Sequence, residues 1–242
     1  MLRGEYTAIT TIDRLVPGLV PKALAWGKYE DEHPETYFFI EDFLYMDMSL
    51  PSPSKVARRA LELHSHLSPT GMFGFEVTTF DGILPHMTQW EPNWAAFFAR
   101  LLRKAVDTDA EVNGVWPKLD SVAQKVIDVV VPKLLEPLQS GPDPIVPRLI
   151  HGDLWGGNMG TDEEGSLIFF DAGCFYAHNE MELGMWRRYG AQNLGQPYLD
   201  EYKRLFPPSE PQDEFDDRCW LYSVKFDLSV SAGNPGDHIR DM

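Results

Sequence analysis

Apolar residues recur at helical spacing along residues 3–15, where Tyr6, Ile9, Ile12 and Leu15 or Val16 share a face until Pro17 and Gly18 stop the pattern. From Ala23 to Tyr29 the chain reads as a strand. Acidic residues and Pro34 then make a turn, and the apolar run Thr36–Ile40 predicts a buried strand. Pro51 and Pro53 lead into an amphipathic helix over Lys55–His66, with Val56, Ala60, Leu61 and His64 on nearby faces. The spacing of His64 and His66 suits neither a metal pair on one helix face nor an HExxH site, so both read as structural. Residues 73–90 keep no period and are dense in Phe, Trp, Gly and Pro. Such a long ordered loop is either a binding element or a segment capped onto the core by its aromatics.

Trp94–Leu102 returns to a helical pattern, as does Lys118–Leu138, where Val122, Val126, Val129, Val130 and Leu134 fall on one side and Pro132 predicts a kink or an end. Ser140–Pro147 is a Pro/Gly linker. Asn179 with Glu182 three residues on predicts a helix start closed by a capping box. Pro197–Leu205 and Phe215–Val230 are the last helices, the second with a solvated acidic start at Asp213, Glu214, Asp216 and Asp217, and the tail from Gly233 predicts fraying. The order predicts an α+β chain. Two short antiparallel strands near 22–29 and 36–41 are backed by the helix at 3–15, and a mostly helical remainder carries short strands at 147–150 and 166–171 that form the site.

Those last two strands frame the densest chemistry, PRLIHGDLWGGNMGTDEEGSLIFFDAGCF over 147–175. His151-Gly152-Asp153 is followed five residues later by Asn158, and a second apolar run ends at Asp171-Ala172-Gly173. The spacing matches a phosphotransferase catalytic loop, H-x-D-x-x-x-x-N, followed by a metal-binding D-x-G. Asp153 is placed to accept a hydroxyl proton, and Asn158 and Asp171 offer the hard oxygen ligands that suit Mg2+. His151 is read as holding the loop by hydrogen bonds, and Gly156 and Gly157 as permitting a sharp turn before Asn158. A polar hairpin would use the same residues only for turn hydrogen bonds, but the full spacing with the second carboxylate favours the kinase-type site.

Composition narrows the partners. The 242 residues carry 37 acidic against 21 basic side chains, a net charge of −16, which disfavours nucleic acid and anionic membrane. A hydrophobic content of 43% with 12% aromatic fits a globular core, and no apolar run approaches the length of a membrane span. Two cysteines, Cys174 and Cys219, make neither a disulfide framework nor a zinc site. With no apolar leader at the N-terminus, the chain reads as cytoplasmic.

The chain resembles the fructosamine kinase / ketosamine-3-kinase family, within the aminoglycoside phosphotransferase and choline kinase-like, protein kinase-like fold. The resemblance rests on HGDLWGGN at 151–158, FGFEVTTFDGILP with Trp90 and Trp94, DAGCFYAHNEMEL after Phe170, and GEYTAI at the start. It implies a reduced small lobe with its hinge over residues 1–45 and a helical large lobe over 46–242. It implies ATP and Mg2+ as cofactors, Asp153 as base, and Asn158 and Asp171 as metal ligands. Glu5 matches the helix glutamate that pairs with the nucleotide lysine, Glu41 and Phe43 lie in the adenine-pairing hinge, and Trp155 and His178 stand on the acceptor side. The implied reaction is phosphorylation of the 3-hydroxyl of ketosamines, as small molecules or on glycated protein lysines.

Only Met1–Gly4 precede Glu5, so the family's phosphate-covering loop and its lysine strand have no counterpart in this sequence. A truncated or non-catalytic kinase-like protein that binds nucleotide or another ligand is therefore the competing expectation, beside a choline- or aminoglycoside-type kinase. The small sheet also lacks the partners that a kinase lobe gives it, and an unpaired apolar edge invites self-association.

Overall fold

The computed structural model describes residues 1–82, 84–188 and 194–236, so Ile83 and the end of the predicted frayed tail lie outside the described residues. Helix α1 (Leu2–Leu15) buries Ala8, Ile9, Thr11 and Ile12 on the face that the periodicity marks. Strands β1 (Ala23–Lys28) and β2 (Tyr37–Glu41) form an antiparallel pair with Trp26 opposite Phe39 and Lys28 opposite Tyr37. Tyr6 of α1 meets Phe39 edge-on at 6.3 Å, so α1 backs this sheet as expected. The expectation of a buried strand at 36–40 does not hold. No residue of β2 is buried, and Ile40 is 48% exposed. The run is apolar, but a two-stranded sheet with one helix behind it cannot cover both faces.

Short strand β3 (Met46–Asp47) leads to α2 (Pro53–His64), which buries Val56, Ala57, Ala60, Leu63 and His64. The 73–90 segment is capped onto the core by its aromatics, as one of its two readings expects. Phe73 and Phe75 are buried against the core, and a small hairpin, β4 (Phe80–Asp81) with β5 (Leu84–Pro85), projects toward the 171–175 segment. Helix α3 (Trp94–Asn113) is capped by Asn93, whose side chain accepts from Ala96 N, and it runs well past Leu102.

The next helical stretch departs from its predicted face. It is α4 (Pro117–Lys125), a π-helical turn at Val126–Val130, then α5 (Val131–Leu135) and α6 (Pro137–Ser140). The π turn inserts a residue and rotates the helical remainder beyond it. Ala123, Val131, Leu134 and Leu135 face inward, while Val122 and Val129 are exposed.

The 147–177 region is built from two strand pairs. Strand β6 (Arg148–Ile150) pairs with β9 (Phe175–Ala177), and β7 (Met159–Asp162) makes a hairpin with β8 (Leu167–Phe169), with β3 on its other edge. The two apolar runs are therefore strands, but not of one sheet. Helices α7 (Glu180–Arg187), α8 (Gln196–Leu205) and α9 (Phe215–Gly233) close the large lobe. Helix α9 packs on α7 and α3. A Cβ on Gly184 would stand 2.6 Å from the Cβ of Tyr222, so α7 and α9 meet at a glycine. The core between them is aromatic: Trp94 donates from Nε1 to the Tyr222 hydroxyl at 2.8 Å. Buried Arg218 forks onto Glu180 at 2.7 and 3.1 Å. Among the described residues no helix is long and apolar enough to cross a membrane.

Candidate active site

The loop after β6 turns at Gly152, whose φ of +86° only glycine adopts without strain. Its room is limited as well, since a Cβ there would stand 2.5 Å from the Gly173 carbonyl oxygen. The second left-handed residue is Asp171, with φ of +57°, a conformation that Asp tolerates better than most residues. The left-handed positions of the site are thus 152 and 171, while the turn expected before Asn158 lies at 156–158. Residues 156–158 form one 3-10 turn, and Gly157 is small because the Trp155 indole lies where its Cβ would be.

His151 is buried and ties the two halves of the site together. Its Nε2 lies 3.0 Å from the Phe170 carbonyl oxygen, which can only accept, so Nε2 carries the proton. Nδ1 is then free to accept from the Asp153 N–H at 3.4 Å. Burial keeps this ring below its ordinary pKa and neutral. Asn158 donates through Nδ2 to both the Asp153 carbonyl and Asp153 Oδ2, each at 2.9 Å. Phe170 N donates to the Asn158 carbonyl at 3.1 Å, which brings Asp171 alongside. Burial first, and the charge of Asp81 second, push Asp153 up to about 8.

Glu182 holds this loop from behind, and here the capping-box expectation fails. The Asn179 side chain makes no cap bond and donates instead to the Tyr202 hydroxyl at 3.1 Å. The Glu182 carboxylate is buried and accepts from His151 N at 2.5 Å and Gly152 N at 3.1 Å. His64 Nε2 lies 3.5 Å from it. Burial alone would raise this acid, but contact with His64, the His151 ring and the His151 N–H hold it below the usual carboxylate value. A buried anion bonded to two backbone amides fixes the loop that presents Asp153.

On the opposite side Glu5, Glu41 and Asp171 face one another. Burial and Asp171 raise Glu5, while partial burial, Glu5 and Asp171 push Glu41 up to about 7. Mutual repulsion of this kind favours a cation in the mouth. Phe43 is 80% exposed, edge-on to Tyr45 at 5.1 Å. Trp155 is half-buried over the catalytic loop. His178 is not at the mouth at all. It is fully buried, with Nδ1 2.9 Å from the Tyr222 hydroxyl and Nε2 2.9 Å from Ser209 Oγ, and burial drives its pKa down to about 4. Its expected place on the acceptor side is therefore corrected to a core role, imposed by the packing of α9 and the 206–211 segment.

Sequence reasoning misses Glu182, and it misses Asp81, His86 and Lys225 beside Asp153. The first leaves a trace. The buried N–H groups of His151 and Gly152 require an acceptor, though the demand does not say which one.

Comparison with known proteins bears on this geometry. Residues 1–234 match the fructosamine kinase family. A ketosamine-3-kinase of Mus musculus is 34% identical over 163 residues, covering 63% of this chain and 45% of the relative. The chain spans about half the length of the curated relatives it matches first. A solved structure from Haemophilus somnus, assigned as a fructosamine-3-kinase, superposes with a TM-score of 0.76 at 17% identity, covering 99% of this chain and 76% of that one. Aminoglycoside phosphotransferase APH(4)-Ia, in a thermostable mutant, gives 0.62 at 18% identity, covering 98% and 77%. The loop, the large lobe around it and the match over 1–234 agree: the chain belongs to the fructosamine kinase family, on a protein kinase-like fold.

Proposed function

We propose that this protein serves ATP-dependent phosphorylation of the 3-hydroxyl of a ketosamine, free or on a glycated protein lysine. The observation that carries this reading is the joint placement of Asp153, Asn158 and Asp171. Asn158 spends its side-chain N–H groups on Asp153, so its side-chain Oδ1 remains the group to offer a hard cation. Asp171 stands beside it at the solvent-exposed mouth. Mg2+ takes one or two protein oxygens and fills its shell with phosphate oxygens and water, so this pair fits it. When bound, Mg-ATP supplies the phosphoryl group and screens its charge.

The chain's own residues do the rest. Asp153 accepts the acceptor hydroxyl proton, and its raised proton affinity suits a base working near neutrality. Glu182 and His151 hold it in place. Glu5 and Glu41 offer negative charge toward the nucleotide side, and the hinge at Glu41–Phe43 borders the adenine. Trp155 offers an apolar wall to the sugar. Residues 1–45 form the small-lobe portion and 46–242 the large lobe. This division is supported by β3, which starts at Met46 and pairs with β7. Asp153→Asn in a phosphate-transfer assay with a ketosamine acceptor is expected to abolish turnover while leaving the free energy of unfolding within about 1 kcal/mol of the parent. Undiminished transfer by that variant refutes the assignment. Calorimetric titration with Mg-ATP beside the turnover assay separates an enzyme from a protein that only binds.

A further inference from the structure

The interior behind the β4–β5 hairpin holds a charged residue that the reaction described above does not use. Lys225 of α9 is 3% exposed, and its ammonium lies 3.0 Å from Asp81 Oδ2 and 3.1 Å from His86 Nε2. Burial, and Lys225 itself, push His86 down to about 3, so the ring is neutral. An ammonium can only donate, which makes Nε2 the acceptor and puts the ring proton on Nδ1. Nδ1 faces Thr79 Oγ1 at 3.2 Å, and that hydroxyl donates to the Gly173 carbonyl at 3.1 Å. Every donor in the series thus points one way, from Lys225 through His86 and Thr79 to Gly173.

Gly173 is where the backbones crowd. A Cβ on it would stand 2.2 Å from the Phe80 carbonyl oxygen, and the Gly173 carbonyl in turn fills the space over Gly152. The residue before Gly173 follows Asp171, and the residue after Gly152 is Asp153. The contacts that begin at Lys225 thus end at two glycines, each one or two residues from an acid of the site.

We propose that Lys225 is a positioning residue for the reaction: through Asp81, His86 and Thr79 it clamps the 79–86 hairpin onto Gly173 and Gly152 and so fixes the acceptor side of the active site. The proposal rests on the ketosamine kinase reading only for its kinetic readout; the clamp itself is a structural relation within this chain. A buried Lys–Asp pair left half-removed strands a charge, so Lys225→Met is paired with the double variant Asp81→Asn/Lys225→Met, which leaves none.

Hydrogen exchange is measured on the whole chain for parent and variants. Both variants are expected to exchange about tenfold or more faster over 79–86 and 149–154, with no change across α2 and α8, because a neutral pair cannot drive the donor series. In the transfer assay both raise the acceptor KM about tenfold or more while the ATP KM stays at the parent value. The double variant regains the parent's unfolding midpoint without regaining the acceptor KM. If Lys225→Met does not fold, the double variant alone decides. Parent-like exchange over both segments in the double variant overturns the clamp, as does a KM that recovers with the midpoint or a parallel loss for both substrates. A parent chain that transfers no phosphate fails the kinase reading instead, and the exchange data still judge the clamp.

Discussion

Replacing Glu182 tests whether a buried acid or a helix cap holds the catalytic loop. Its carboxylate is fully buried and accepts from two backbone N–H groups, at 2.5 and 3.1 Å. Bonds of this type to a charged acceptor contribute about 1.5–3 kcal/mol each, so Glu182→Ala should cost roughly 3–6 kcal/mol. A capping-box glutamate at the same position would cost only about 0.5–2 kcal/mol. Glu182→Gln keeps the volume but only one acceptor oxygen, so it strands one N–H and should cost about half as much. Urea unfolding followed by Trp fluorescence and by circular dichroism, with coincident transitions, gives the values. The loss should be accompanied by faster exchange of the His151 and Gly152 amides. A Glu182→Ala penalty under about 1.5 kcal/mol would refute the argument, since the two amides would then have found water or another partner.

The buried histidines and the crowded glycines carry two further outcomes. His178 has a folded pKa near 4 against an ordinary value of about 6.5. The unfolded chain therefore binds the proton first as pH falls, and stability is lost between about pH 6.5 and 4, by about 2 kcal/mol at pH 5 from this residue. His178→Asn should lower the slope of stability against pH in that window by about one proton, and an unchanged slope would mean that the ring is charged in the fold. Gly152→Ala combines a left-handed φ with a clash against Gly173 and should cost about 2–5 kcal/mol. Gly71→Ala, left-handed but with open space around it, should cost about 1–2 kcal/mol; equal penalties in thermal unfolding would remove the case for crowding at 152.

Legibility in the sequence tracks sequence distance. The helix at 3–15 and the one predicted over 55–66 announce themselves because their apolar faces are local periodicities. The H-x-D-x-x-x-x-N spacing is equally local. The strand at 36–40 misleads because burial depends on how many layers cover it, which no five-residue window contains. Glu182 misleads for a related reason: a capping box and a remote loop compete for the same carboxylate, and the tertiary partners, 30 and 31 residues away, win. Lys225 lies 139 and 144 residues from His86 and Asp81, so no motif could join them. The π turn at 126–130 hides the true face of its helix by changing the phase midway.

The seating of α1 limits how this protein could be regulated. In protein kinases a glutamate-bearing helix can be moved into and out of place to control activity. Here Ala8, Ile9 and Ile12 belong to the one hydrophobic core that runs through the chain, the Cys174 thiol lies against the Ala8 carbonyl, and Gly4 leaves no room over Thr78. Swinging α1 outward would return Ile9 and Ile12 to water at about 1.5–3 kcal/mol each. A state that costs roughly 3–6 kcal/mol is occupied by fewer than about one molecule in a hundred. Glu5 is thus held by the same packing that folds the chain, and rotating this helix away from the mouth carries an unfolding-like cost.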